Sequence, residues 1–262
     1  MVTGGQRSDR DPRHRRLSGG MASTGGTVLA ATRGRLSMNH YRTRIKVCGL
    51  TRPQDVDAAV AAGADAVGLV FYPASRRCLA LDQARLLRLR VPAFVTVTAL
   101  FVNPHPDDVQ RVLDQIGPDL LQFHGEESAE LCDGFGRRYL KAFRVGAPGQ
   151  DSAPALAARC RAYPGAAGWL FDSYSAGFGG SGLRFDLGLL ADVPRGAGFP
   201  SSVLSGGLTA ASVGGAIEAW QPSAVDVSSG VESAPGIKDA ARILEFVRAV
   251  RTADTGQARS VP

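Results

Sequence analysis

From residue 44 to residue 250 the sequence alternates eight short apolar runs with longer amphipathic stretches. Short β-rich runs bounded by turn residues are typical of parallel strands, and a 3.6-residue apolar period is typical of helices. Eight such units predict an α/β fold, a closed (β/α)8 TIM barrel with a single domain, for which 262 residues is an ordinary length. An open doubly wound sheet is the alternative, but the turn Cys48–Thr51 lacks its usual G-x-G-x-x-G.

The pattern predicts the bounds of each element. The predicted strands are Arg44–Cys48, Ala66–Phe71, Val95–Val102, Leu120–His124, Leu140–Phe143, Gly168–Asp172, Ser202–Leu204 and Ala224–Val227. The predicted helices are Pro53–Ala62, Leu81–Leu89, Pro106–Ile116, Ser128–Arg138, Ala153–Tyr163, Asp186–Ala191, Ala210–Ala219 and Gly236–Val250. We expect Thr51 to be the N-cap of the first helix and Gly63 to end it.

Residues 1–40 are predicted to be a disordered basic extension, because they are rich in Gly, Ser, Thr and Arg and show no sustained apolar period. A transit peptide, a nucleic-acid-binding arm and a later start at Met38 are alternatives for this segment. It contains seven Arg and two Asp, so the formal net charge of +6 leaves only +1 for the rest of the chain. Residues 41–254 are predicted to form the barrel and residues 255–262 a flexible tail.

Composition also limits the partners. The cysteines Cys48, Cys78, Cys132 and Cys160 form no C-x-x-C pair, so we expect no metal site. Few, scattered cysteines are typical of a reducing compartment, and we expect a cytoplasmic protein. No apolar run approaches the ~18 residues of a membrane span. We therefore expect neither a membrane nor, given the near-neutral body, a nucleic acid as partner.

Two residues at strand ends are candidates for proton transfer, because active sites of such barrels lie at the carboxyl ends of the strands. Cys48 ends the first strand and is interpreted either as a small buried residue or as a base or nucleophile. A thiol has a pKa of about 8.5, so a working base needs nearby positive charge to lower it. Asp172 ends the sixth strand, where a carboxyl is costly unless it is paired or used as an acid or base.

The turns after the last two strands predict an anion site. Ser205–Gly207 follows the seventh strand and Ser228–Gly230 the eighth, and barrels often bind phosphate with this pair of loops. Small residues let backbone N–H groups approach an anion. The glycine-rich loop at residues 177–182 is interpreted as a mobile lid. Arg76 and Arg77 follow the second strand, where one guanidinium could bind a carboxylate with two hydrogen bonds.

Seven segments together resemble the phosphoribosylanthranilate isomerases, over residues 44–250. They are IKVCGLT (Ile45–Thr51), GADAVGLVFYPASRR (Gly63–Arg77), LQFHGEE (Leu121–Glu127), LFDS (Leu170–Ser173), GGSGLRFD (Gly179–Asp186), LSGGLT (Leu204–Thr209) and AVDVSSGVE (Ala224–Glu232), with GIKD after the last. The resemblance implies an aldose–ketose isomerase of tryptophan biosynthesis. Its Amadori rearrangement converts N-(5-phosphoribosyl)anthranilate to 1-(2-carboxyphenylamino)-1-deoxyribulose 5-phosphate without a cofactor or metal.

The resemblance also implies roles for individual residues. Cys48 would be the general base and Asp172 the general acid. The residues implied to bind the rest of the substrate are Arg77, for the anthranilate carboxylate, with Gln122, His124 and Asp226. The residues implied to bind the phosphate are Gly180, Gly206, Gly207, Ser229 and Gly230. The partner is a small phosphorylated substrate, and the expected assembly is a monomer or a homodimer.

Two departures from the family and two alternative functions remain at this point. The family often has Leu at Phe123 and Trp at Leu187, and both differences preserve apolar character. A sugar isomerase of histidine biosynthesis catalyses the same rearrangement, but usually has Asp where Cys48 stands. A non-catalytic barrel that senses a phosphorylated metabolite would need the glycine turns, without needing Cys48 and Asp172 together.

Overall fold

The computed structural model describes residues 42–174 and 186–259, in which eight parallel strands form a closed barrel. The strands are β1 (Arg44–Cys48), β2 (Ala66–Val70), β3 (Thr96–Phe101), β4 (Leu120–Phe123), β5 (Tyr139–Val145), β6 (Gly168–Ser173), β7 (Ser201–Leu204) and β8 (Ala224–Val227). Each pairs with the next along the chain, and β8 pairs with β1. The (β/α)8 prediction is confirmed.

Helices follow most of the strands. They are α1 (Pro53–Ala62), α2 (Leu81–Arg88), α3 (Pro106–Ile116), α4 (Ala129–Asp133), α5 (Ala153–Arg161), α6 (Ala210–Trp220) and α7 (Ala240–Arg259). Short 3₁₀ turns cover Leu187–Leu190 and Ser229–Val231, and an antiparallel hairpin of β9 (Glu232–Ala234) and β10 (Ile237–Lys238) precedes α7. Among these described helices, none has both the length and the apolar character needed to cross a bilayer.

Local chemistry accounts for several helix ends. Gly63 adopts a left-handed conformation (φ 93°) after α1, as predicted, because glycine has no Cβ to oppose it. The N-cap prediction was wrong: Arg52 holds that position, and the Thr51 hydroxyl instead donates to the carbonyl of Gly236. The Ser128 hydroxyl accepts from the Leu131 N–H and caps α4.

Three predicted bounds differ from the structure by more than two residues, and several others differ by one or two. α4 ends at Asp133 rather than Arg138, because two glycines follow and Gly136 has a positive φ of 58°. The last helix starts at Ala240, after the unpredicted hairpin, and runs to Arg259, so the expected tail is helical over residues 255–259. The predicted extension, the glycine-rich loop and the last three residues lie outside the described residues.

Two cores pack on opposite faces of the sheet. Inside the barrel, Leu140, Ala142, Leu170 and Val203 form a buried cluster below the site. Outside it, between strands and helices, an aromatic row contains Phe101, Phe123, Phe143 and Phe171, with adjacent ring centroids 6.2 Å apart for the first pair and 6.0 Å for the last. Phe123, one of the two departures from the family, is fully buried in this row, and its ring contributes to the packing.

A buried ion pair holds the loop that follows β4. Lys141 Nζ, 1% exposed on its side chain, donates to Glu127 Oε2 at 3.0 Å and to the Gly125 carbonyl at 2.6 Å. Glu127 in turn accepts from the backbone N–H groups of Asn103 and Gly125. The network joins the loops after β3 and β4 to β5, and so supports His124, which begins the β4 loop.

We expect Lys141→Met to lower the free energy of unfolding by about 3–5 kcal/mol, because it leaves the Glu127 carboxylate buried without its partner. Urea unfolding measures this change. Arg90→Gln is the matched control: its pair with Asp57 is about half exposed on both sides, so its loss should leave the free energy of unfolding almost unchanged. Equal losses in the two variants would contradict the prediction.

Candidate active site

One pocket at the carboxyl ends of the strands brings the candidate residues together. It encloses about 750 Å³, part of which is open solvent. The predicted site residues that line it are Cys48, Arg77, Gln122, His124, Asp172, Gly206, Gly207, Asp226, Ser229 and Gly230. Gly180 lies outside the described residues. The residues proposed from scattered segments of sequence therefore share one cavity.

The floor of the pocket lies where β1 meets β8. Lys46 and Asp226 are paired in register across these strands, and Lys46 Nζ lies 2.9 Å from Asp226 Oδ1. Both side chains are about 5% exposed. Cys48 is two residues beyond Lys46 on β1, so both side chains point into the barrel, with the thiol nearer the mouth. A buried ammonium thus lies beneath the candidate base.

Burial has the largest single effect on the pKa values of Lys46, Cys48 and Asp226. Burial raises the pKa of the Cys48 thiol, Lys46 opposes that rise, and Asp226 adds to it. Burial also raises the pKa of Asp226, against the attraction of Lys46. For Lys46, burial lowers the pKa, but Asp226 and Cys48 outweigh it and the net shift is upward. The sequence-based expectation of positive charge near the thiol is met, but that charge does not by itself produce a low pKa.

Asp172 is held by two donors at the opposite wall. Its Oδ1 accepts from the Ser173 backbone N–H at 2.9 Å, and its Oδ2 lies 3.1 Å from His124 Nε2. Gln122 Nε2 lies 3.2 Å from His124 Nδ1, so Gln122, His124 and Asp172 form a chain across β4 and β6. This chain fixes the orientation of the carboxyl group that points into the pocket.

The two predicted phosphate turns pack too closely for larger residues. Gly206 has a φ of 82°, and a Cβ there would lie 2.5 Å from the Ser173 backbone nitrogen. A Cβ on Gly230 would lie 1.9 Å from the Leu208 carbonyl oxygen. Both positions therefore require glycine, and the two turns line the cavity together with Asp172.

Arg77 lines the pocket with an unexpected partner. Its Nε and Nη2 each lie 2.7 Å from a carboxylate oxygen of Glu232, and Lys238 Nζ lies 2.9 Å from Glu232 Oε1. Sequence reasoning missed Glu232 and Lys238, because 155 residues separate Glu232 from Arg77 and nothing local links them. The segments AVDVSSGVE and GIKD, which resemble the family, contain Glu232 and Lys238. Nothing in these segments indicates that Glu232 binds Arg77.

Sequence reasoning also missed an apolar wall. Val70, Leu100 and Val102 pack with Cys48 and with the ring of Tyr72 at the β2–β3 side of the pocket. Strand alternation could have identified Val70 and Leu100, because they point inward near the ends of their strands. The wall gives this side of the cavity a surface suited to a flat apolar group.

The comparisons with known proteins agree with this geometry. The family model of N-(5'-phosphoribosyl)anthranilate isomerase matches residues 45–249. The N-(5'-phosphoribosyl)anthranilate isomerase of Bordetella pertussis is 61% identical over 213 residues, which cover 81% of this chain and 98% of that protein. The family-model match includes the strands that carry the pocket.

Two solved structures extend the match to the fold. A phosphoribosylanthranilate isomerase in complex with reduced 1-(o-carboxyphenylamino)-1-deoxyribulose 5-phosphate has a TM-score of 0.69 and 34% identity, covering 80% of this chain and 99% of that one. Monomers generated from the dimeric enzyme of Thermotoga maritima have a TM-score of 0.69 and 33% identity, with the same coverage. The chain therefore belongs to the N-(5'-phosphoribosyl)anthranilate isomerase family of tryptophan biosynthesis.

Proposed function

We propose that this chain converts N-(5-phosphoribosyl)anthranilate to 1-(2-carboxyphenylamino)-1-deoxyribulose 5-phosphate with Cys48 as general base and Asp172 as general acid. The observation that carries the proposal is that a thiol, a carboxyl group and two glycine turns line one pocket. Each group alone has an ordinary structural explanation. Together they supply the acid, the base and the anion site that this rearrangement needs.

Ring opening is the first step. The carboxyl group of Asp172 donates its proton to the furanose ring oxygen, and the bond between that oxygen and the anomeric carbon breaks. The anilino nitrogen supplies its electron pair, and an iminium forms at the anomeric carbon. The contacts of Asp172 with Ser173 and His124 hold the carboxyl in place for this transfer.

Proton removal is the second step. The Cys48 thiolate takes the proton from the sugar carbon next to the iminium, and the electrons of that C–H bond neutralise the nitrogen and give an enolamine. Tautomerisation of the enolamine to the ketone completes the rearrangement, with no net gain or loss of electrons. Lys46, beneath the thiol, stabilises its anionic form.

Four groups of contacts hold the substrate. The backbone of Gly206, Gly207, Ser229 and Gly230 binds the phosphate, with Gly180 as a further candidate. Arg77 binds the anthranilate carboxylate, beside the apolar wall that takes the ring. Gln122, His124 and Asp226 bind the ribose. In support of this last role, Gln122 Oε1 is buried and has no hydrogen-bond partner among the described residues, so it can accept from a substrate hydroxyl.

The alternative functions fit less well. The histidine-pathway isomerase would usually have an Asp at the position of Cys48, and a metabolite sensor would not require Cys48 and Asp172 on one cavity. A purified-enzyme assay with the substrates of both isomerases distinguishes the proposed function from the histidine-pathway alternative. We propose a cytoplasmic monomer or homodimer that acts on a small phosphorylated substrate, with no nucleic-acid partner.

We expect Cys48→Ser and Asp172→Asn each to reduce turnover of phosphoribosylanthranilate by at least about 10²–10⁴-fold, because each removes one proton-transfer group. The loss of substrate fluorescence measures turnover. Circular dichroism and thermal unfolding should show an intact fold. Near-normal rates in either folded variant would refute the assigned role.

We expect activity to rise with pH as the Cys48 thiolate forms, because only the thiolate can take the proton from the substrate. Since the nearby Asp226 charge raises the pKa of Cys48, Asp226→Asn should lower it and shift the titration to lower pH. The ultraviolet absorbance of the thiolate, taken as the difference from Cys48→Ser at each pH, isolates this group from the other cysteines. An upward shift in Asp226→Asn would contradict the electrostatic explanation.

A further inference from the structure

The contact between Arg77 and Glu232 uses one side of the guanidinium. Nε and Nη2 donate to the two carboxylate oxygens at 2.7 Å each, a bidentate arrangement with little rotational freedom. Within the part of the chain that the structure describes, Nη1 has no hydrogen-bond partner. The edge formed by Nη1 and the outer N–H of Nη2 is therefore available to a second carboxylate.

Glu232 is itself shared between two cations. Lys238, whose side chain is fully buried, donates to Glu232 Oε1 at 2.9 Å and to the Ser228 carbonyl at 3.0 Å. Burial raises the pKa of Glu232, but Arg77 and Lys238 outweigh it and the net shift is downward, so the carboxylate stays charged. Burial lowers the pKa of Lys238 against the attraction of Glu232. While Lys238 holds its proton, one carboxylate lies between two cations, and the local surplus of one positive charge favours an anionic ligand.

The stem of Arg77 is fixed as well as its head. A Cβ on Gly49 would lie 2.3 Å from Arg77 Cδ, so the arginine stem passes directly over this glycine, next to Cys48. The Arg77 side chain is 15% exposed and lines the pocket. The Arg77 side chain is thus held at two places. Its stem packs against Gly49, just after β1, and its guanidinium binds Glu232 of the β9–β10 hairpin.

We propose that Glu232 is a positioning residue for substrate recognition: it fixes Arg77 so that the outer guanidinium edge receives the ring carboxylate of the substrate. This inference rests on the proposed function, in which Arg77 binds that carboxylate. Glu232 does not itself touch the substrate in this arrangement. Its effect is on the binding of carboxylated ligands through Arg77.

A purely structural role for Glu232 predicts something different. Glu232 also accepts from the Gly236 N–H at 3.3 Å, inside the hairpin, so its loss could simply loosen this segment. Loosening would weaken all ligands alike. Loss of the Arg77 orientation would weaken only those ligands that carry the ring carboxylate.

The experiment compares two ligands on purified full-length protein by calorimetry. One is reduced 1-(o-carboxyphenylamino)-1-deoxyribulose 5-phosphate, and the other is its counterpart without the ring carboxylate. The variant is Glu232→Gln, in which an NH₂ donor replaces one oxygen and opposes an N–H of Arg77 or Lys238. We expect the preference for the carboxylated ligand to fall by about tenfold, with the other ligand bound within about twofold of the original Kd.

Kinetics give a second readout. With phosphoribosylanthranilate, Glu232→Gln should raise KM by about tenfold and change kcat by less than about threefold, because binding rather than proton transfer is affected. Asp55→Asn is the matched control. Asp55 is buried, binds Arg52 and accepts from the Lys238 backbone N–H in the same hairpin, but does not contact Arg77. It should leave the preference between the two ligands unchanged.

The outcomes separate this inference from the proposed function. If the unmodified protein shows no preference for the carboxylated ligand, the proposed role of Arg77 fails. If it shows that preference and Glu232→Gln keeps it, the positioning role is overturned while the proposed function stands. Should Glu232→Gln not fold, Glu232→Asp, which shortens the reach by one methylene, takes its place, and an unchanged preference there overturns the inference equally.

Discussion

The structure depends on the seam at which β8 closes onto β1. Lys46 and Asp226 face each other there, almost excluded from water, and each charge is tolerable only because the other lies 2.9 Å away. Removing one partner of such a pair costs about 3–5 kcal/mol. The same seam places Cys48, near the start of the barrel, beside the Ser228–Gly230 turn near its end. The pairing of β8 with β1 therefore both closes the sheet and brings these two parts of the site together.

Charge at this site is balanced locally rather than across the molecule. The charge of Lys46 is balanced by that of Asp226, so the floor of the pocket is close to neutral. Burial therefore affects the pKa of the Cys48 thiol more than the Lys46 ammonium does. Arg77 and Lys238 share Glu232, so the rim carries the surplus. The surplus lies at Arg77, where the proposed binding mode places the ring carboxylate of the substrate.

Sequence alone predicted what depends on local pattern. β1, α1, α3 and β8 have the predicted bounds, since apolar periods and glycine or proline at the ends determine them. The β9–β10 hairpin was missed because its two strands have only three and two residues, which carry too little pattern to distinguish them from a helix start. Cys48, Asp172 and the two glycine turns were identified because strand ends converge in any such barrel, whereas Gln122, His124 and Asp226 were implied by the family resemblance. The partner of Arg77, Glu232, was not identified from the sequence, because a contact between residues 155 positions apart depends on tertiary packing.

In the proposed binding mode, the order of strands around the rim gives the substrate one orientation. Strands β2 and β3 offer an apolar wall with Arg77 beside it, and the turns after β7 and β8 offer backbone N–H groups between glycines. The substrate has the same order of chemistry, with an aromatic acid at one end and a phosphate at the other. Since β1 lies between β8 and β2, a ligand held at both ends places its ribose beside Cys48. Asp172, on β6, lies on a different wall of the pocket, so the two proposed proton transfers need not compete for one position.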